Sequence, residues 1–175
     1  MIYFTADQHF GHSNIIKLCG RPYSNAEEMD EDLIAKWNTT VAPEDTIYVL
    51  GDFMYKSKHP LAWYTDTLNG KKHLVRGNHD HAVDEIYLKH FEEVRDLIYL
   101  DVDKTSLVLL HYPMLSWRRR ARGAIHLYGH VHGAILPPLA NQRAYNVGVD
   151  TNDFRPISLP DIITKMLAKE IKVQE

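Results

Sequence analysis

The chain has 175 residues, 45% of them hydrophobic and 25% charged, which suits one folded domain over residues 1–175 and excludes a disordered or low-complexity protein. A formal net charge of -3 leaves no global field for nucleic acid or anionic lipid, so any attraction to phosphate must be local. With one cysteine, Cys19, no run near the roughly 20 apolar residues of a membrane span and no signal-like start, the sequence reads as cytoplasmic, without disulfide, thiolate cluster or membrane partner.

The first apolar run, Ile2 to Ala6, reads as a strand closed by Asp7 and His9. A short helix is expected over Ser13 to Leu18. The strongest helical signal starts at Ser24: Ser24 and Glu27 have capping-box spacing, Met29, Leu33, Trp37 and Val41 recur every four residues, and Ala42-Pro43 should stop it. Thr46 to Leu50 is the next strand, followed by Gly51-Asp52, and a helix is predicted from Pro60 to Leu68 before Asn69-Gly70. His73 to Arg76 forms a strand that runs into "GNHD", Gly77 to Asp80, with a helix over Asp84 to Phe91 beyond it. Leu97 to Asp101, Leu107 to Leu110, Ala124 to Tyr128 and Ala144 to Val149 complete the strands, and Pro160 to Glu170 is the last helix. Alternating strands and helices, then a strand-rich second half, predict a mixed α/β domain of layered sheets without internal repeats.

Five of the apolar runs end in one manner. Asp7 and His9, Asp52, "GNHD", His111 and "GHVH" (Gly129 to His132) each close a strand-like run. In layered α/β domains functional groups gather beyond the carboxyl ends of strands, so these five endings should converge on one crevice. Asp7, His9, Asp52, Asn78, His111, His130 and His132 offer carboxylate, amide and imidazole donors without sulfur, a set suited to manganese, iron, zinc, cobalt or nickel. Seven donors exceed what one such ion takes. Within Asp7-Gln8-His9 and His130-Val131-His132 the donors are two apart, so in an extended segment both members would point to one site. Two cations a few ångström apart need an anion between them, and Asp52, in a Gly-Asp turn, is the natural bridge. Each fragment alone reads as a turn or a satisfied polar residue; the ordered set points to metal.

In that order, "DQH", "GD", "GNHD", "LLHYP" and "GHVH", covering residues 7 to 132, the sequence resembles the calcineurin-like metallophosphoesterases. The resemblance implies a four-layer αββα sandwich of two mixed sheets flanked by helices. It also implies that Asp7, His9 and His132 hold one metal, that Asn78, His111 and His130 hold the other, and that Asp52 bridges. The opening "DQHFGHSNII" looks like a small single-domain bacterial or phage branch of the family. Many relatives carry an acidic or amide residue three positions after the G-D aspartate; Tyr55 stands there in "GDFMY".

Two divalent transition-metal ions, manganese foremost, would leave this site positive and attractive to a phosphate ester. Metal-bound water falls to a pKa of about 7 and gives a nucleophile at neutral pH. The leaving group needs a proton, and His79 is the expected donor, with Asp80 beside it to fix its tautomer or charge; the family resemblance implies the same role for His79. His12 is expected either to meet the substrate phosphate or to cap the helix at Ser13. His126 should be buried and hydrogen-bonded, and His59, His73, His81 and His90 read as ordinary surface or packing residues. The most basic segment is "SWRRRARG", Ser116 to Gly123, where Arg118, Arg119 and Arg120, with Arg122, could clamp phosphates while Trp117, with Phe10, Phe53 or Tyr112, stacks a base. Arg21 and Arg76 are weaker candidates of the same kind. With no room for a cap domain the cleft should be open. The leading expectation is a phosphodiesterase; a nuclease on RNA or DNA, with nucleotides as related ligands, and a non-catalytic scaffold are the alternatives.

Overall fold

The computed structural model describes residues 1–80 and 84–169, so the expectations at His81 and Glu170 lie outside the described residues. In chain order the elements are β1 (Ile2–Thr5), α1 (Ser13–Cys19), α2 (Ala26–Thr40), β2 (Thr46–Val49), α3 (Leu61–Thr67), β3 (Lys71–Val75), α4 (Asp84–His90), β4 (Glu93–Arg95), β5 (Leu97–Val102), β6 (Thr105–Leu110), β7 (Ile125–Tyr128), β8 (Ala144–Asn146), β9 (Ile157–Ser158) and α5 (Leu159–Leu167).

Two mixed sheets result. The first has the order β4-β3-β2-β1-β9, parallel except for β9, and the second the order β5-β6-β7-β8, parallel except for β5. Alternation along the central strands sends residues to two cores. Ile47 and Val49 of β2 pack with Met29, Leu33, Trp37 and Tyr64 under the helices, whereas Tyr48 and Leu50 join Phe4, Leu107, Leu109, Ile125 and Leu127 between the sheets. Strands buried on both faces explain why these runs are apolar throughout instead of alternating. Helix α5 adds Leu159, Ile162 and Met166 to the core between the sheets. The outer face of the second sheet is covered by loops and short 3-10 turns, with Trp117, Leu139, Val108 and Tyr128 in a small third cluster.

Local signals account for the helix ends. The cap of α2 sits one residue later than the spacing suggested: Asn25 accepts from the Glu28 amide, and the Glu28 carboxylate reaches back to the amide of Ser24. Gly20 ends α1 in the left-handed conformation. The run Ala144 to Val149 is not one strand, because after β8 the chain crosses between sheets: Val147 donates to the carbonyl of Tyr128 and Val149 to that of Ala6. Among the described residues no helix is long and apolar enough to cross a membrane.

Candidate metal centre

The crossing at residues 147–149 bonds to the ends of β7 and β1, and the ends of β1, β2, β3, β6 and β7 bring the seven expected ligands together. Asp7, His9, Asp52 and His111 are essentially inaccessible. Asp7, His9 and His132 present ligand atoms within 4.8 Å of one another, and so do Asp52, His111 and His130, and His9, Asp52 and His79. Asp52 Oδ2 is approached by His9 Nε2 at 3.4 Å and by His111 Nε2 at 3.5 Å. Asn78 Oδ1 lies 3.1 Å from His111 Nε2 and 2.9 Å from His130 Nδ1.

The backbone departs from the expected extended geometry. Asp7 (φ 61°), His9 (φ 53°), Asp52 (φ 55°), His130 (φ 70°) and His132 (φ 44°) are all left-handed. The two-residue spacing therefore works through tight turns and not through strand parity, which corrects the reasoning from alternation. Such turns aim a side chain back across the strand end, at a cost of roughly 1–2 kcal/mol for each non-glycine residue. Crowding accompanies the turns: a Cβ on Gly77 would lie 2.3 Å from Asp52 Oδ1, and one on Gly129 would lie 2.7 Å from Asp7 Oδ2.

Burial sets the charge states. The Asp7 carboxyl is pushed up to about 6 by burial, although His132, His111 and the amide of His130 oppose the shift. Burial, reinforced by His132 and Arg21, lowers His9 to about 2, so its imidazole is neutral at working pH. His9 Nε2 is buried and, among the described residues, has no hydrogen-bond partner. Burial also works against charge on His132, but the hydrogen bond to Asp150 and the charges of Asp7 and Asp150 outweigh it and raise the imidazole above its ordinary value. His132 Nδ1 donates to Asp150 Oδ2 at 2.9 Å, which leaves Nε2 as the free ring nitrogen. His111 is fixed similarly, its Nδ1 donating to the Leu50 carbonyl at 2.7 Å.

Two residues of this scaffold were not expected in that role. Arg21 is buried, pairs with Asp150 through Nε (2.8 Å) and Nη2 (2.9 Å), and donates to the carbonyls of Asp7 (2.7 Å) and Gln8 (2.9 Å). It ties the β1 turn to the chain after β8 instead of reaching toward a phosphate. The signal for Asp150 was available: it closes the run Ala144 to Val149 just as the other polar clusters close theirs.

The expected catalytic and substrate residues divide. His79 is at the site; its amide donates to Asp52 Oδ1 at 2.9 Å and its ring centroid is 5.1 Å from His9 and 4.6 Å from Tyr55. Asp80 does not serve His79. Its carboxylate is taken up by the amides of Asp52 (2.7 Å), Gly77 (2.8 Å) and Phe53 (3.1 Å), so it holds two site turns together. His12 makes no side-chain cap on α1; its Nδ1 is 3.2 Å from His9 Nδ1 and its ring faces Tyr55. His9, His12 and His79 line a cleft of about 700 Å³ to which Ile15, Leu18, Cys19, Val131 and Ala134 also contribute.

Arg118, Arg119 and Arg120 are elsewhere. Arg119 pairs with Asp101 and Ser106 (3.2 Å each) at the β5–β6 hairpin, the opposite end of β6 from His111 and roughly 16 Å away along the strand. Arg118 lies over the Tyr99 ring and Arg120 bonds Gln142 at 2.9 Å. Arg76 pairs with Asp96 at 3.1 Å. Phe10, Phe53 and Trp117 are buried core residues, which leaves Tyr112, 42% exposed and beside His111 and His130, as the aromatic of that set on the cleft side. His126 is buried between the Val108 carbonyl and the Met114 amide, as expected.

A two-sheet α/β sandwich with a nitrogen and oxygen donor cluster at its strand ends defines the class: an α/β protein with a candidate metal-binding centre. The family model for calcineurin-like phosphoesterases matches residues 1–104. The uncharacterized protein MJ1445 of Methanocaldococcus jannaschii is 37% identical over 174 residues, covering 96% of this chain and 92% of its own. The gene 66 protein of Mycobacterium phage L5 is 31% identical over 179 residues, covering 85% and 86%. Among solved structures, AQ665 from Aquifex aeolicus, a protein of unknown function, is 28% identical with a TM-score of 0.75, covering 94% of this chain and 98% of its own. The chain belongs to the calcineurin-like phosphoesterase family.

Proposed function

We propose that the chain is a two-metal phosphoesterase that hydrolyses phosphodiesters. The observation that carries this reading is Asp52 Oδ2 lying between two imidazole nitrogens, His9 Nε2 at 3.4 Å and His111 Nε2 at 3.5 Å, so that one carboxylate belongs to both donor groups. In this reading Asp7, His9 and His132 hold one divalent ion, Asn78, His111 and His130 the other, and Asp52 both. The residues fit such ions: every donor is oxygen or nitrogen, and the buried, neutral His9 Nε2 has a lone pair that no described residue satisfies. Manganese is the first choice, with iron, zinc, nickel and cobalt compatible. When bound, such ions polarise the phosphate and lower the pKa of water to about 7.

The chain's own side chains supply the rest. His79 delivers a proton to the departing oxygen; the hydrogen bond its backbone N–H donates to Asp52 fixes the residue beside the shared carboxylate. His12, half-buried between His9 and Tyr55, meets the phosphate from the α1 side. Asp80 sets the turn at Asp52, and Asp150 orients His132 with Arg21 behind it. The cleft is open and partly apolar, which accommodates the second ester arm of a diester. The test is manganese-reconstituted protein assayed on bis(p-nitrophenyl) phosphate and on p-nitrophenyl phosphate, with metal content measured alongside and Asp52→Asn as control. Diester turnover, two bound ions and loss of both in Asp52→Asn are expected. Binding of one ion, or a monoester preference, refutes the reading.

A further inference from the structure

The arginine-rich segment forms a basic face at the pole opposite the metal centre. Two adjacent hollows of about 240 and 440 Å³ share Arg122, Gly123 and Arg143; Lys104 lines the first, Arg120 and Gln142 the second, and among the described residues no aspartate or glutamate lines either. Of Arg118, Arg119, Arg120, Arg122 and Arg143, only Arg119 pairs with a carboxylate among the described residues. Arg118, Arg120 and Arg143 are oriented by neutral groups, and Arg122 is exposed. Arg120 bonds Gln142 and lies over the Trp117 ring, and Arg143 donates to the Gly123 carbonyl while its Nε is buried without a partner among the described residues. Guanidinium groups oriented by neutral neighbours keep their full charge for an external anion, and the fork geometry suits phosphate.

We propose that this face binds the phosphodiester backbone of a nucleic acid, independently of the metal centre. Two hollows side by side fit successive phosphates, whereas a single free phosphate would use one. Trp117 is 7% exposed and its Nε1 donates to the Ala124 carbonyl, so it offers no stacking platform. The face therefore reads charge and not base, and binding is independent of sequence.

The experiment is fluorescence anisotropy of the full-length, metal-reconstituted protein with short single-stranded oligonucleotides of two unrelated sequences, between ~50 and ~200 mM salt. A denaturing gel checks that the probe stays intact. Equal affinity for both sequences and a steep salt dependence are expected. Arg122 is exposed, so Arg122→Glu should leave folding and hydrolysis of the model diester unchanged while weakening oligonucleotide binding about tenfold and reducing the salt slope by about 0.7 for each phosphate no longer neutralised. Arg120→Ala combined with Arg122→Ala should act in the same direction, and Asp52→Asn should bind as well as wild type. The proposal is overturned if Arg122→Glu and the double variant bind normally, if Asp52→Asn alone loses binding, or if inorganic phosphate binds here while oligonucleotides do not.

Discussion

Asp80→Asn should destabilise the ion-free protein by about 2 kcal/mol without altering the chemistry of His79. Asp80 Oδ2 accepts from the amides of Asp52 and Gly77, and Oδ1 from that of Phe53. A carboxamide of the same shape has one oxygen, so whichever way it turns, at least one buried N–H faces an NH2 group. An unsatisfied buried donor costs about 1–3 kcal/mol, and Asp80→Ala, which leaves three, should cost at least twice as much as the asparagine. For a chain of this length each kcal/mol lowers Tm by about 2–4 °C, so the asparagine variant should melt about 4–8 °C below wild type. Urea unfolding and thermal melts of the metal-free protein measure this, followed by manganese titration and a pH profile of kcat. Weaker manganese binding with an unmoved pH profile is expected, because the turn carrying Asp52 loses its anchor. A variant that melts with wild type, or one whose main change is a shifted limb of the pH profile, would refute a positioning role and restore Asp80 as a partner of His79.

Three further outcomes follow from the same geometry. Gly77→Ala should abolish retention of metal through desalting, read by elemental analysis, since its Cβ would sit 2.3 Å from Asp52 Oδ1 and 2.5 Å from the Asp52 amide. Asp150→Ala should weaken metal binding about 10–100-fold by isothermal titration, because His132 loses the acceptor that fixes its tautomer. The ion-free protein should lose stability between pH 7 and pH 5 in chemical denaturation. His9 titrates at about 2 in the fold against 6.5 when unfolded, so acid favours unfolding by about 2 kcal/mol at pH 5. Asp7, raised to about 6, takes up its proton first in the folded state and returns about 1 kcal/mol over the same window; Asp7→Asn should therefore steepen the loss.

The parts of this fold that sequence made legible are those where one physical signal dominates. Ile2 to Thr5, Thr46 to Val49 and Ile125 to Tyr128 are apolar runs buried in the sheets, and their polar ends marked five of the seven donors that the structure brings together, Asn78 and His111 being marked in the same way by β3 and β6. The strands β4 and β9, three and two residues long, are too short for any periodicity and form through pairing with neighbours already in place. Side-chain direction was the weaker inference. Asp80 was assigned to His79 because the two are adjacent in sequence, yet three backbone amides, two of them from the turn at Asp52, compete for that carboxylate and win. The arginines were assigned to the cleft because they follow His111, but Arg119 is drawn to Asp101 and Ser106 and Trp117 sinks into the small outer core. Long-range competition of this kind leaves no local trace.

The left-handed turns at Asp7, His9, Asp52, His130 and His132 bear on how such a chain would age. Each of these conformations suits glycine better than the residue that occupies it, by roughly 1 kcal/mol or more. The donor side chains at these turns thus stand against a local conformational preference, which the surrounding structure has to offset. A descendant relieved of hydrolysis would become sturdier by trading these positions for glycine, and glycine at several of them is the scar to look for in kin that have lost the chemistry.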